Sequence, residues 1–242
     1  MDWALFLDID GTLLDLAPKP GEVVVPRTLR PRLETLRRRF GGALALVSGR
    51  ALSGVDQLFP GGHDAAGSHG AEWRLAGTTT VLADPWPDQV AAMVVTAAGL
   101  LPGILVERKP RSVALHYRDA PEREPAVKAL AEAAIRNAGT ELRLLEGKAV
   151  IEIASPEADK GMAIDRFMRV PPYAGRRPVF AGDDITDESG FAAVNRLDGL
   201  SLHVGRSLAT RAHFRLSTPL SLRRWLARLD QAPGGISDHE LP

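Results

Sequence analysis

The chain contains no cysteine. Disulfides and thiolate metal sites are therefore excluded, and the composition fits a reducing, cytoplasmic location. An excess of either charge is missing too, since 30 Lys and Arg stand against 30 Asp and Glu. That balance argues against a protein held to nucleic acid by bulk positive charge, while leaving room for a local anion site. No apolar stretch approaches the ~20 residues of a membrane span, so no membrane partner is expected. The N-terminal segment carries acids at Asp2 and Asp8 and does not read as a signal peptide. Internal repeats and heptad runs are absent. What is there is 242 residues, 45% hydrophobic and 25% charged. This is the composition of a globular protein with one large domain or two modest ones.

The order of apolar runs predicts two kinds of sheet. WALFLDI reads as a buried strand, followed by a polar, Pro-rich loop to Val25 and a helix from Pro26 to Phe40. Leu29, Leu33, Leu36 and Phe40 fall on one helical face, and Gly41-Gly42 stops it. ALALVS is the next strand, residues 50–59 a helix, and HDAAGS a third strand. Alternating strands and helices predict a parallel α/β sheet. GTTTVLADPWPD then reads as a linker or hairpin. After it the order becomes helix (86–101), hairpin (ILVERKP and SVALHYR), helix (122–137), hairpin (ELRLLE and AVIEIA). That order fits a small α+β domain with an antiparallel sheet. From Lys160 the parallel pattern returns with DKGMAIDRFM, PVFAGDD, TDESGFAAVN and LSLHV. The expected organisation is a core of 1–77 and 156–230 interrupted by an inserted domain of 78–155, with a polar tail at 231–242.

Two carboxylates follow the first strand in LFLDIDGT. Asp8 and Asp10 are two apart, as residues sharing one side of a strand are, and Gly11 permits a sharp turn. An exposed Asp-Gly turn would explain them alone. PVFAGDDITDE repeats the device, with Asp183 and Asp184 closing a strand and Asp187 in the next turn. In parallel sheets, sites form beyond the carboxyl ends of the strands, so these acids are expected to meet. Acids gathered without partners repel and their pKa values rise, which a hard divalent cation such as Mg²⁺ relieves. Lys160, at a helix start, and Ser48, closing the second strand in LVSGR, are expected to add anion-binding groups. Read singly, Lys160 is a surface lysine and Ser48 a helix cap.

FLDIDGTLLD, LVSGR, DKG and FAGDDITDE, in that order, resemble the four motifs of the haloacid dehalogenase superfamily in its phosphatase form. The resemblance implies a Rossmann-like parallel-sheet core with an inserted α+β cap domain. It implies that Asp8 is the nucleophile, forming an aspartyl-phosphate, and that Asp10 is general acid and then general base. Ser48 and Lys160 would bind the phosphoryl group. Mg²⁺ would be held by Asp8, the Asp10 carbonyl and Asp183, with Asp184 and Asp187 as further ligands or orienters of metal-bound water. Asp10 points away from a dehalogenase, which lacks that second acid.

The insert is expected to choose the substrate. Alternation in SVALHYR puts Val113, Leu115 and Tyr117 on one face and Ser112, His116 and Arg118 on the other. Lys109 stands at the preceding turn, and Glu152 sits among apolar residues in AVIEIA, where a Glu needs a partner. Such a polar face suits sugar hydroxyls, although a polar sheet face is usually just solvated. GSHGAEWR, ERK at 107–109, HYR, VIEI and GDDITDESGF resemble the trehalose-6-phosphate phosphatases of the superfamily. That resemblance implies a hydrolase of trehalose biosynthesis acting on a small sugar phosphate, trehalose 6-phosphate. It implies that Arg50, His69, Lys109, His116, Arg118 and Glu152 contact the substrate. It also implies a functional link to a trehalose-6-phosphate synthase. A phosphatase for sucrose phosphate or mannosylglycerate phosphate, and a non-catalytic sugar-phosphate sensor, are the alternatives. The insert is expected to swing on links near 77–86 and 154–159.

Overall fold

The structure is a computed structural model, and it describes residues 3–17, 20–82, 88–109, 112–139, 141–206 and 209–231. Trp86, most of the DPWPD stretch and the tail from 232 onward lie outside the described residues.

The first apolar run forms β1 (Trp3–Leu7), buried along nearly its whole length. It lies between β2 (Leu44–Val47) and β10 (Arg177–Gly182), both parallel to it. Around this centre the larger sheet has eight strands in the order β12-β11-β10-β1-β2-β3-β4-β5. Here β3 is Asp64–Gly67, β4 Glu72–Leu75, β5 Thr78–Val81, β11 Leu200–Val204 and β12 Phe214–Leu216. Only β4 runs against the rest, antiparallel to both β3 and β5. GTTTVL is therefore part of a hairpin on the larger sheet, so its strand pairs with the core rather than with the second sheet.

Side chains alternate across β1. Leu5 and Leu7 enter one core with α1 (Leu29–Arg39) and α7 (Pro219–Gln231). Ala4 and Phe6 enter the other, against α5 (Lys160–Phe167) and α6 (Glu188–Arg196). In that second core Phe6 stacks on Tyr173 with ring centroids 5.4 Å apart and touches Phe167. Each such fully buried aromatic contributes about 1.5–3 kcal/mol. Trp225, in the middle of α7, is fully buried as a packing residue.

Helix starts differ from the sequence reading in two places. Pro26 belongs to a turn, its carbonyl taking the Leu29 amide at 2.9 Å, and α1 begins at Leu29. Likewise α2 is Leu52–Leu58 and not 50–59, because Ala51 is extended and the buried Glu72 carboxylate takes the Leu52 amide at 2.6 Å.

The second sheet is antiparallel, in the order β6-β7-β9-β8. These strands are β6 (Leu105–Lys109), β7 (Ser112–His116), β8 (Arg143–Gly147) and β9 (Val150–Ala154). Val113, Leu115, Tyr117, Ile151 and Ile153 pack on α3 (Asp88–Gly99) and α4 (Glu124–Asn137). The opposite face, with Ser112, His116 and Glu152, turns to the core domain. Among the described residues no helix is long and apolar enough to cross a membrane.

Candidate active site

Strands β1, β2 and β10 run parallel, so their carboxyl ends share one edge, and each delivers a group to it. Asp8 follows β1 directly, and its amide bonds to the Ala181 carbonyl of β10 at 3.0 Å. Neither Asp8 nor Asp10 lies within the strand; Asp10 bridges to Leu14 in the turn that Gly11 makes at φ 81°. A Cβ on Gly11 would collide with the Asp183 carboxylate, so only glycine lets the first loop approach the second acid.

Lys160 is the first residue of α5, whose N-cap Asp159 accepts the Met162 amide at 2.9 Å. Its buried ammonium donates to Asp8 Oδ1 at 2.7 Å and to Asp187 Oδ1 at 2.5 Å. Asp187 Oδ2 accepts the amides of Asp183 and Asp184 at 2.8 and 2.9 Å, closing a capping box with Asp184. Asp184 accepts from the amides of Ile185 and Lys148. Asp183 accepts from Thr12 Oγ1 at 3.3 Å and is paired with the Lys148 ammonium.

Asp8, Asp183 and Asp187 each offer one oxygen within 4.8 Å of the others, all buried. Burial pushes the Asp8 carboxyl well above its ordinary value, against the pull of Lys160 and with the push of Asp187 and Asp183. Burial and Asp187 raise Asp183 to about 6. Burial works against the Lys160 charge, but Asp187 and Asp8 outweigh it and hold the ammonium above its usual range. The two ammoniums, Lys160 and the half-exposed Lys148, do not neutralise three carboxylates. A set of hard oxygens short of positive charge suits a divalent cation such as Mg²⁺.

Arg50 grips Asp10 with both arms of its fork, at 2.6 and 2.7 Å. Ser48 is buried and its Oγ accepts the Arg50 amide at 3.1 Å. It is not a helix cap, because α2 begins four residues later, and the expectation of a helix N-terminus at Ser48 is corrected accordingly. The loop after Ser48 is clasped by residues 68–70. Ser68 and His69 donate their amides to the carbonyls of Arg50 and Ser48 at 2.7 and 2.9 Å. Ser68, His69 and Gly70 all hold positive φ, a strained run that these bonds fix in place.

The polar face of the second sheet forms the opposite wall. Glu152 is buried at its centre, accepting from Lys109 at 2.8 Å and Ser112 at 2.5 Å, with His69 Nε2 at 3.4 Å. Burial alone would raise Glu152, but Lys109 and His69 outweigh it and drive the carboxyl far below its usual range. His116 pairs with Glu107 at 2.9 Å. Lys109 also reaches the Gly49 carbonyl at 3.2 Å and Arg118 the Ala17 carbonyl at 3.2 Å, so the second sheet is seated on the core.

Between the walls lies a cavity of about 220 Å³. Asp8, Asp10, Ser48, Arg50, His69 and Lys160 line its floor, with Asp183, Asp184 and Asp187. Lys109, His116, Arg118 and Glu152 line its roof. Glu107, part of the ERK motif, and Lys148 line it too, and the sequence assigns neither a role. Alternation in ERK puts Glu107 on the side of Lys109, a signal that was available. Lys148, a lone lysine in a hairpin turn, carries no such signal.

A family model described as trehalose-phosphatase matches residues 6–218. A relative from Sinorhizobium fredii, named probable trehalose-phosphate phosphatase, is 47% identical over 207 residues, covering 84% of this chain and 78% of its own. Another from Escherichia coli, named trehalose-6-phosphate phosphatase, is 42% identical over 234 residues, covering 95% and 87%. Among solved structures, a trehalose-6-phosphate phosphatase related protein superposes with a TM-score of 0.80 at 26% identity, over 94% of this chain and 97% of that one. A haloacid dehalogenase-like hydrolase from B. subtilis, at 14% identity and a TM-score of 0.67 over 96% and 99%, shares the fold.

Proposed function

The chain belongs to the trehalose-phosphatase family, and on that premise we propose how its residues hydrolyse trehalose 6-phosphate to trehalose and phosphate. The observation that carries the reading is Asp8. It is a buried carboxylate with one oxygen held by Lys160 at 2.7 Å, lining a cavity roofed by hydrogen-bonding side chains.

The other Asp8 oxygen attacks phosphorus. An O–P bond to Asp8 forms and the P–O bond to the sugar breaks; Asp10, which must first leave the Arg50 fork and take up a proton from solvent, gives that proton to the departing sugar oxygen. Asp10 then takes a proton from water, whose oxygen attacks phosphorus and frees the Asp8 carboxylate and inorganic phosphate. Lys160 and Ser48 hold the phosphoryl oxygens. Asp8, Asp183 and the Asp10 backbone carbonyl would hold a Mg²⁺ ion, which would supply positive charge against the phosphoryl oxygens. Both Asp187 oxygens are already taken by Lys160 and two amides. It orients Lys160 and the loop as well as facing the cation beside Asp8 and Asp183, and Asp184 serves as a cap.

Phosphate-monoester hydrolysis requires up to ~10²¹-fold acceleration. One acid–base group supplies about 10²–10⁴ of it. Most of the remainder falls to in-line positioning and charge at the floor of the cavity. In the roof, Glu107, Lys109, His116, Arg118 and Glu152 bind the sugar hydroxyls. His69 joins them, its buried Nδ1 having no hydrogen-bond partner among the described residues.

Asp10→Asn tests the assignment of the proton. Turnover of trehalose 6-phosphate should fall at least about 10²-fold. Turnover of p-nitrophenyl phosphate, whose leaving group needs no proton, should fall far less. Equal losses on both esters contradict the role given to Asp10.

A further inference from the structure

Lys148 stands at the tip of the β8–β9 hairpin, on the roof, yet its contacts are with the floor. Its ammonium pairs with the Asp183 carboxylate and donates to the Asp183 carbonyl at 2.7 Å. Its amide donates to Asp184 Oδ2 at 3.2 Å. The turn is built for this approach. Ala149 holds φ 58°, its carbonyl is tied to the Tyr117 amide at 3.0 Å, and a Cβ on Gly147 would press on the Asp184 carboxylate. The Lys148 side chain is 47% exposed and that of Asp183 only 4%, so the ammonium reaches inward from solvent onto a buried acid. Lys160, the other ammonium on these acids, is committed to Asp8 and Asp187.

We propose that Lys148 is a positioning residue that competes with the catalytic cation for Asp183 and so couples metal loading to the seating of the cap hairpin. This rests on the assignment of Asp183 as a metal ligand. A cation and an ammonium on one carboxylate repel each other, and both draw on the same lone pairs. With Lys148 on Asp183 the hairpin tip is clamped to the acidic loop. A cation on Asp183 would displace the ammonium and loosen the tip, which keeps its amide bond to Asp184. The coupling is reciprocal, as any linkage between two binding events must be: what the cation loses to Lys148, the clamped hairpin loses to the cation.

The test uses Mn²⁺ alone, without substrate, with free Mn²⁺ counted by electron paramagnetic resonance at pH 8. Lys148→Met and Lys148→Gln are expected to bind Mn²⁺ about tenfold more tightly than the wild type, and Lys148→Arg to keep the weaker binding. A purely structural role for Lys148 gives the opposite direction, since loosening the acidic loop weakens a metal site. Equal or weaker Mn²⁺ binding in both neutral variants overturns the inference while leaving the metal assignment intact. Absence of Mn²⁺ binding by the wild type overturns the metal assignment and this inference with it. The two neutral variants differ in polarity, and a cooperative melt of either shows that the protein measured is folded.

Discussion

Lys160 Nζ donates to Asp8 Oδ1 at 2.7 Å across 152 residues of sequence, with the whole second sheet lying between them in the chain. The same ammonium donates to Asp187 at 2.5 Å, so one buried cation joins the first and last acidic loops of the core. Breaking a buried ion pair by removing one partner leaves the other charge without compensation. Lys160→Met is therefore expected to destabilise the protein by about 3–5 kcal/mol at pH 7 and to abolish turnover. The loss should shrink at pH 5, where the acids take up protons instead. Urea unfolding at the two pH values checks this, and an unchanged midpoint at pH 7 contradicts it.

Asp8→Asn should do the reverse to stability. Burial disfavours the charged Asp8, so a neutral amide of the same shape is expected to leave the metal-free protein as stable as the wild type or more so at pH 7. Turnover should fall by about 10³-fold or more, because the nucleophile is gone. A folded Asp8→Asn protein with ordinary turnover removes Asp8 from the mechanism.

Stability should also depend on pH and metal together. The ordinary value for Asp183 is 3.8 and burial raises it to about 6. Between those values the folded state keeps a proton that the unfolded chain has released, so stability falls as pH rises through that window. Asp8 is raised too and acts in the same direction. Glu152 is held far below its ordinary value, so its contribution is already complete above about pH 5 and is lost only in stronger acid. Metal-free protein is therefore expected to lose melting temperature from pH 5 to pH 7.5, and Mg²⁺ to restore more at pH 7.5 than at pH 5. An equal Mg²⁺ shift at both pH values, by calorimetry, contradicts the acidic cluster as its site.

Glu152 gathers Lys109, Ser112 and His69 on the roof of the cavity. Glu152→Gln weakens all three contacts while leaving Asp8, Asp10 and Lys160 in place. The expected result is KM for trehalose 6-phosphate raised about tenfold to a hundredfold, with little change in the turnover of p-nitrophenyl phosphate. Equal losses on both substrates contradict a role for Glu152 in sugar binding.

Much of this arrangement was legible because the signals were periodic or doubled. Buried strands such as β1 and β10 read as apolar runs, and a pair of acids after each announced a shared edge. Alternation in β7 separated Val113 and Leu115 from Ser112 and His116, and the structure packs the first pair on helices. The exposed β5 gave only a run of threonines, whose sheet is chosen by pairing with β4 and not by its own pattern. β12 escaped the reading, since three strand residues say little until their neighbours are known. Ser48 looked like a helix cap because its residue type suits one; the distant Glu72 takes the amide of Leu52 and moves the helix start. Lys148 was invisible for a related reason. Its meaning lies in what the hairpin tip meets, and that partner is 35 residues away.

The measurement that bears most directly on the account is phosphate release from trehalose 6-phosphate beside sucrose 6-phosphate, glucose 6-phosphate and mannosylglycerate phosphate, each with Mg²⁺ and with chelator. The expected result is release from trehalose 6-phosphate in clear preference to the others, lost with chelator. Release that survives chelation contradicts the cation assigned to Asp8 and Asp183, and preference for a different ester contradicts the roof of Lys109, Arg118 and Glu152 as a trehalose site.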